Sequence, residues 1–294
     1  MIPDPVAFLD SGVGGLPYLA HLRARAPRER FVYVADRENF PYGEKEPVRI
    51  VEASISLTGR LVARAHPRLV VVACNTISVV ALAALRARFP LPFVGVVPAV
   101  KPAAALSRKR RVGVLATRQT VEGEYLKNLI EAHAASCSVV SLPAAGLVEF
   151  VEEAMYRATA EERRERVRQE VERFRDERID ALVLGCTHFL HLEEEFRDLL
   201  GTEGITLVDS RDGVSRQVQR LLAERLPGDA APSKAPLAPA SGARAAGAPA
   251  TTAHAPHLLD ADGVGSLFVT GPVPLEPRYS WFAARFGLRL EEAL

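Results

Sequence analysis

Two cysteines sit in near-duplicate settings, LVVVACNT around Cys74 and ALVLGCTH around Cys186. In each, an uncharged apolar run ends at a small residue and a cysteine, and a threonine follows at once or one residue later. This repetition offers one thiol from the same structural position in each half of the chain. Two thiols meeting across a cleft suit a reaction that lifts a proton from one face of a carbon and returns one to the other. With an ordinary thiol pKa of about 8.5, roughly 3% is ionised at neutral pH, so a thiol acting as a base needs local help. For Cys74 that help is a helix start at Asn75 and Thr76; for Cys186 it is His188, which can lend its charge or act as the proton donor itself. The plainer alternative is that each cysteine is a small buried hydrophobe. The neighbours argue against it, because several polar groups at one strand end make poor core material.

Other polar groups fall at the ends of apolar runs in the same way. Asp10–Gly15 reads DSGVGG, a glycine turn that lets backbone N–H groups approach an anion before a helix begins. Either Asp10 only caps this turn, or Asp10 and Ser11 belong to a site. The turn lacks the Lys and Ser/Thr of a phosphate loop, since Leu16 and Pro17 follow it, and the dinucleotide fingerprint is absent. The turn at Pro41, Tyr42 and Gly43 places N–H groups and a hydroxyl where they can hold a carboxylate. Thr117 and Thr120, in VLATRQT, offer two hydroxyls to a carboxylate or ammonium, or Thr120 caps the next helix. Asp36 and the Asp209–Ser210 pair also stand at strand ends. Cys137 stands at the start of a strand and reads as a packing residue. Cys137, His133 and His191 show no zinc-ligand spacing, so no metal site is expected.

These residues need elements to position them, and the pattern supplies strands alternating with helices. Strands are predicted over Val6–Leu9, Phe31–Ala35, Leu69–Ala73, Phe93–Val97, Arg111–Ala116, Val139–Leu142, Ala181–Gly185 and Thr206–Val208. Helical patterns cover Leu16–Ala26, Pro47–Ala65, Val79–Arg88, Thr120–His133, Glu161–Arg178 and Arg211–Leu226. Such alternation implies an α/β fold with mainly parallel sheets flanked by helices, in which ligands lie beyond the carboxyl ends of the strands. A further strand near Ser266 and a short helix carrying Trp281, Phe282 and Phe286 are expected to dock on the domain that holds the N-terminal strands. Pro227–His257 is mostly Ala, Pro, Gly and Ser without a periodic apolar face, and reads as a flexible insertion. The charge runs at Arg108–Arg111 and Glu161–Arg178 read as solvated surface.

The chain has 294 residues with a formal net charge of +1, 48% hydrophobic and 25% charged residues, and three cysteines. That length admits one or two α/β domains. The charge balance gives no electrostatic case for a nucleic-acid or anionic-membrane partner. No apolar stretch reaches the roughly 20 residues of a membrane span, and no secretory signal pattern opens the chain. A cytoplasmic protein with free thiols is expected.

Taken together, FLDSGVGGL, YVAD, PYGEK, VVACNTIS, GVVPA, GVLATRQT and LVLGCTHF resemble the glutamate racemases of the aspartate/glutamate racemase superfamily, continuously from about Val6 to Leu226. The resemblance implies two pseudo-symmetric α/β domains with the active site in the cleft between them. It divides the chain into 1–98 with 209–226 and 264–294, a second domain at 99–208, and an insertion at 227–263. It implies interconversion of L- and D-glutamate without pyridoxal phosphate, another cofactor or metal, supplying D-glutamate for peptidoglycan and so for cell-wall biogenesis and cell shape. By motif match, Cys74 and Cys186 are the acid/base pair and Asp10 and His188 assist. Ser11, Tyr42, Gly43, Asn75, Thr76, Thr117, Thr120 and Thr187, together with Asp10 and His188, hold the substrate. Family members often pair as homodimers.

The chain departs from the family pattern at Leu190 and His191, where Pro and an apolar residue are usual, and at Glu46, where Ser is common. Some relatives carry an N-terminal extension tied to activation by a cell-wall precursor; with Asp10 so close to Met1, none is expected here. Two other readings remain at the level of sequence. One is a racemase for aspartate or a hydantoin; the other is a two-lobed carboxylate-binding protein without turnover.

Overall fold

Short runs such as VAFLD and LVVV carry apolar side chains on both faces, which only a sheet covered on both sides can bury. The computed structural model describes residues 4–224, 265–291 and 294, and builds these runs into two all-parallel sheets. The strands are β1 (Val6–Asp10), β2 (Phe31–Ala35), β3 (Leu69–Val72), β4 (Phe93–Gly95), β5 (Arg111–Ala116), β6 (Ser138–Pro143), β7 (Ala181–Leu184), β8 (Thr206–Val208), β9 (Gly265–Val269) and β10 (Leu288–Leu290). The first sheet has the order β10-β9-β2-β1-β3-β4 and the second β6-β5-β7-β8.

The second sheet repeats the middle of the first. Read from β2 and from β6, the orders β2-β1-β3-β4 and β6-β5-β7-β8 are the same path, with β1 matched by β5 and β3 by β7. A parallel neighbour requires a crossover, and in each half helices supply it: Leu16–Arg25 and Pro47–Ala65 in the first, Glu124–Ala134 and Ala160–Glu172 in the second. Cys74 follows β3 and Cys186 follows β7, so the duplicated spelling reflects duplicated topology.

Several helices are missed or differ from the sequence expectation. The pattern expected over Val79–Arg88 is two helices, Asn75–Val80 and Leu82–Arg88, and the first begins directly after Cys74. The pattern over Thr120–His133 divides at Gly123 into Arg118–Glu122 and Glu124–Ala134. The helical pattern over Glu161–Arg178 ends at Glu172 and is followed by a single 3-10 turn. Helices Val100–Leu106, Ala145–Glu153 and Glu193–Gly201 were not foreseen. Each has seven or nine residues, too short for a helical period to stand out.

β9 pairs in register with β2, and helix Pro277–Arg285 leads into β10 on the outer edge of the same sheet. The Ala/Pro-rich insertion expected at 227–263 lies outside the described residues. Among the described residues no helix is long and apolar enough to cross a membrane.

One apolar cluster runs from the first sheet into the second, joining Phe8, Leu16 and Tyr33 to Leu115, Leu147 and Phe189. Phe8 is fully buried at the centre of the first sheet, with its ring centroid 6.2 Å from Phe31 and 6.5 Å from Tyr33. Truncation there leaves a cavity that neighbouring strands cannot close. Phe8→Ala is therefore expected to cost about 3–5 kcal/mol in denaturant unfolding; a loss within experimental error would show that this core repacks freely.

Candidate active site

The two cysteines occupy the same backbone conformation at the same place in the repeat. Cys74 has φ −131° and ψ 122°, Cys186 has φ −134° and ψ 136°, and each is the extended residue that caps the helical turn after its strand. An extended cap points its side chain out of the sheet end instead of into the barrel of the following helix. Both cysteines line one cavity of about 430 Å³, in the size range of small-molecule sites. Ser11, Tyr42, Gly43, Asn75, Thr76, Thr117, Thr187 and His188 line it with them. Asp10 and Thr120 do not line the cavity and stand directly behind Ser11 and Thr117.

On the Cys186 side, His188 is held at both ring nitrogens. Nδ1 lies 3.7 Å from the Cys186 sulfur and Nε2 lies 2.7 Å from Oε1 of Glu152. Both members of the His188–Glu152 pair are buried, with 3% of each side chain exposed. Burial opposes a charge on His188, but the hydrogen bonds to Cys186 and Glu152 and their negative charges outweigh it and hold its pKa well above 6.5. The imidazole is thus a cation that donates from both nitrogens, to a carboxylate on one side and to sulfur on the other.

Glu152 was not foreseen from sequence. It sits on helix Ala145–Glu153, one helical turn past Val148 on the apolar stripe of Leu147, Val148 and Val151, while its neighbours Glu149 and Glu153 are exposed. A carboxylate on an apolar stripe was the available signal. The same Oε1 also accepts the Val13 backbone N–H at 2.7 Å, which ties the DSGVGG turn to the pair.

The Cys74 side has the opposite polarity. Asp10 is fully buried, and its carboxylate accepts the backbone N–H of Ser11 at 2.7 Å and of Gly15 at 2.5 Å. It also accepts the Tyr33 hydroxyl at 3.1 Å and, from the other half, the Thr187 hydroxyl at 3.4 Å. Asp10 thus braces the DSGVGG turn through the Ser11 and Gly15 N–H groups and stands behind the cavity lining, while the following helix, with Gly15 at its start, has no side-chain cap. Burial raises the Asp10 pKa, opposed by the His188 charge and the backbone donors. The Cys74 sulfur is 3.8 Å from the Ser11 hydroxyl. Burial first, then the Asp10 charge, drive the Cys74 pKa well above its ordinary value, despite the Ile77 backbone N–H. The expectation that a helix start would favour the Cys74 thiolate is therefore overturned: one N–H in a six-residue helix is outweighed by desolvation and a neighbouring carboxylate.

Ligand-ready polar groups line the rest of the cavity. The Asn75 side chain is buried, and neither its amide oxygen nor its nitrogen has a partner among the described residues. An unpaired buried amide facing a cavity is costly unless a ligand or water completes it. Thr76 and Thr117 approach across the halves at 3.3 Å between hydroxyls, and Thr117 meets Thr120 at 3.0 Å. Thr117, not Thr120, is the helix cap, accepting the Thr120 backbone N–H. The Tyr42 hydroxyl donates to Asp36 at 2.5 Å, which corrects the expectation of a free hydroxyl donor there; a carboxylate at this turn is left the backbone N–H groups. Asp36 is held in turn by Thr270 and Asn39, so it fixes the turn. Arg118, Glu44, Glu149 and Glu153 also line the cavity and were not foreseen as site residues. Cys137 is half-buried against the core of the second sheet, as a packing residue would be.

An all-parallel α/β fold with a cleft at its strand ends defines an α/β protein with a small-molecule site. A family model described as Asp/Glu/Hydantoin racemase matches residues 18–216. The chain is 44% identical over 220 residues to a glutamate racemase of Shewanella oneidensis, a match spanning 75% of this chain and 80% of that protein. It is 43% identical over 215 residues to a glutamate racemase of Treponema pallidum, spanning 73% and 80%. A crystal structure of Escherichia coli glutamate racemase in complex with L-glutamate and activator UDP-MurNAc-Ala has TM-score 0.78 and 33% identity, covering 99% of this chain and 98% of that one. The chain belongs to the Asp/Glu/Hydantoin racemase family, and is therefore an isomerase.

At Gly12 and Gly14 the DSGVGG turn lies so close to the second half that it leaves no space for a side chain. A Cβ on Gly14 would fall 2.4 Å from His188 Nδ1 and 2.6 Å from Thr187 Oγ1. Gly14→Ala must therefore push His188 away from Cys186, and its pKa is expected to fall toward 6.5. NMR titration of the His188 ring reads this directly, and an unchanged titration would show that the turn yields instead of the imidazole.

Proposed function

We propose that this chain is a glutamate racemase, which interconverts L- and D-glutamate by proton transfer between two thiols without a cofactor and supplies D-glutamate for peptidoglycan. The observation that carries this reading is the opposite polarity of the two thiols on one cavity. Cys186 is paired with a cationic imidazole, while burial and Asp10 keep Cys74 protonated. A racemase needs such a resting state, with one base and one acid on opposite faces of the same carbon.

In one direction the Cys186 thiolate, stabilised by His188, takes the α-proton, and the Cys74 thiol delivers its proton to the opposite face. In the other direction the Cys74 thiolate left by that step takes the α-proton and Cys186 delivers. Asn75, Thr76, Thr117 and Thr187 hold the substrate carboxylates with Ser11 and the backbone at Tyr42 and Gly43, and their donors stabilise charge that develops next to the α-carbon. The free thiols of Cys74 and Cys186 suit the reducing cytoplasm. The named relatives and the E. coli structure with bound L-glutamate support glutamate as the substrate.

The test is exchange of the α-hydrogen with deuterated water, using each enantiomer of glutamate and of aspartate and no added cofactor. Exchange and racemisation of glutamate are expected. Cys74→Ala and Cys186→Ala should each reduce racemisation by roughly 10²–10⁴-fold. Full activity in both variants would sink the two-thiol mechanism; exchange with aspartate alone would replace the substrate.

Glu152→Gln keeps an oxygen for Val13 and His188 but removes the negative charge that favours the imidazolium. The His188 pKa falls in that variant, so the alkaline limb of the kcat profile should move to lower pH in the direction that starts from the Cys186 thiolate. A profile superimposable on that of the wild type would remove Glu152 from the mechanism.

A further inference from the structure

His191 lies where the family pattern has an apolar residue, and it does something an apolar residue cannot. It is buried at the end of the turn Thr187–Leu192, and its Nε2–H donates to the Val13 carbonyl at 2.9 Å. The ring is wedged edge-on against Phe282 and Phe286, with centroids at 5.2 and 5.5 Å. Burial lowers its pKa to about 3, and Nδ1 has no partner among the described residues. A neutral ring whose only hydrogen bond runs to a carbonyl has one tautomer, so the Nε2–H is fixed in place.

Val13 is thereby gripped on both sides by the second half of the molecule, through two successive peptide groups. Its carbonyl is held by His191, and its N–H by the same Glu152 oxygen that receives His188. The flanking glycines pack directly on these groups: a Cβ on Gly12 would meet Glu152 Oε1 at 1.9 Å. The turn therefore cannot shift without moving the carboxylate, the imidazole or both.

We infer that His191 is a positioning residue for the Cys186 half of the reaction, presenting the Val13 N–H to Glu152 and so orienting the carboxylate that aims His188 at Cys186. The inference rests on the two-thiol racemase reading above. The direct chain of contacts from His191 runs through Val13 and Glu152 to His188 and Cys186, whereas Cys74 is reached only along the turn's backbone and Ser11, so loss of His191 should slow the transfer at Cys186 more than the other.

The two enantiomers have equal free energy in water, so kcat/KM is the same in both directions and cannot tell which transfer has slowed. The primary isotope effect can. With 2-deuterated L- and D-glutamate, a slower step at Cys186 raises the isotope effect on kcat/KM for the enantiomer whose α-hydrogen Cys186 removes. It lowers the effect for the other. His191→Phe and His191→Leu keep apolar packing against Phe282 and Phe286 without the donor, and His191→Gln restores an N–H.

The Phe and Leu variants are expected to lose roughly tenfold or more in kcat/KM, with isotope effects that move in opposite directions, and the Gln variant to recover most of both. Wild-type values in the Phe or Leu variant would overturn the inference. So would an equal loss with unchanged isotope effects, or a failure of Gln to restore activity, since either marks a packing role alone. If the wild type itself does not racemise glutamate, the functional reading fails first and takes this inference with it.

Discussion

The contact between Glu152 and His188 is the constraint around which the cleft is arranged. A carboxyl group and an imidazole, each with 3% of its side chain exposed, meet at 2.7 Å in the apolar space between the sheets. Removing a carboxylate and an imidazolium from water costs several kcal/mol per ion, and the attraction offsets this only when further hydrogen bonds complete the pair. Here the completion comes from the Val13 N–H on the carboxylate and the Cys186 sulfur on the imidazole. Those two demands explain why the DSGVGG turn reaches so far across the molecule and why Gly12 and Gly14 cannot carry side chains.

The pair also breaks the symmetry of the fold. Topology and backbone angles make Cys74 and Cys186 equivalent, yet only one of them has a cation at hydrogen-bond distance, while the other shares its surroundings with the Asp10 carboxylate. His188, Cys74 and Asp10 all have raised pKa values. A raised value contributes stability that is complete below the unfolded pKa and is lost as pH rises through the folded one. The His188 contribution is thus whole below about pH 6.5 and is lost progressively as pH rises from there to the raised folded pKa. The Asp10 contribution begins to be lost once pH rises above the ordinary carboxylate pKa of about 4. The site keeps a fully buried carboxyl group at Asp10 that the fold alone would not choose, a common cost of function.

Much of this was legible in the sequence because parallel strands write themselves as uncharged apolar runs. The eight strands from Val6 to Val208 were readable, as was the strand near Ser266, and polar residues at their ends mark a site in this topology. Ser11, Asn75, Thr76, Thr117, Thr187 and His188 all reach the cleft for that reason. Glu152 did not announce itself: it is one acid among three in VEFVEE, and what distinguishes it is the face of a nine-residue helix that it occupies. Arg118 was hidden in the same way, since nothing local says that the first turn of its helix opens on the cavity. The role of the Tyr42 hydroxyl was misread because Asp36, six residues away, becomes its neighbour only when the turn closes.

The charges around the cleft bear on how the substrate is recognised. Glu44, Glu149 and Glu153 line it, and Arg118 and His188 are its positive groups. His188 is already committed to Glu152 and Cys186, which leaves Arg118 as the one lining guanidinium among the described residues. The cleft's remaining polar groups are neutral short-range donors such as the Asn75 amide, which has no partner among the described residues, and the threonine hydroxyls. Donors of that kind discriminate by geometry more than by charge, and they lose little when the substrate leaves. That suits a reaction in which substrate and product are mirror images. The site cannot hold one enantiomer tightly without slowing its release, and additional ground-state affinity would lower KM without raising kcat. Electrostatic strength is instead concentrated at the buried Glu152 and His188, where it acts on the Cys186 sulfur.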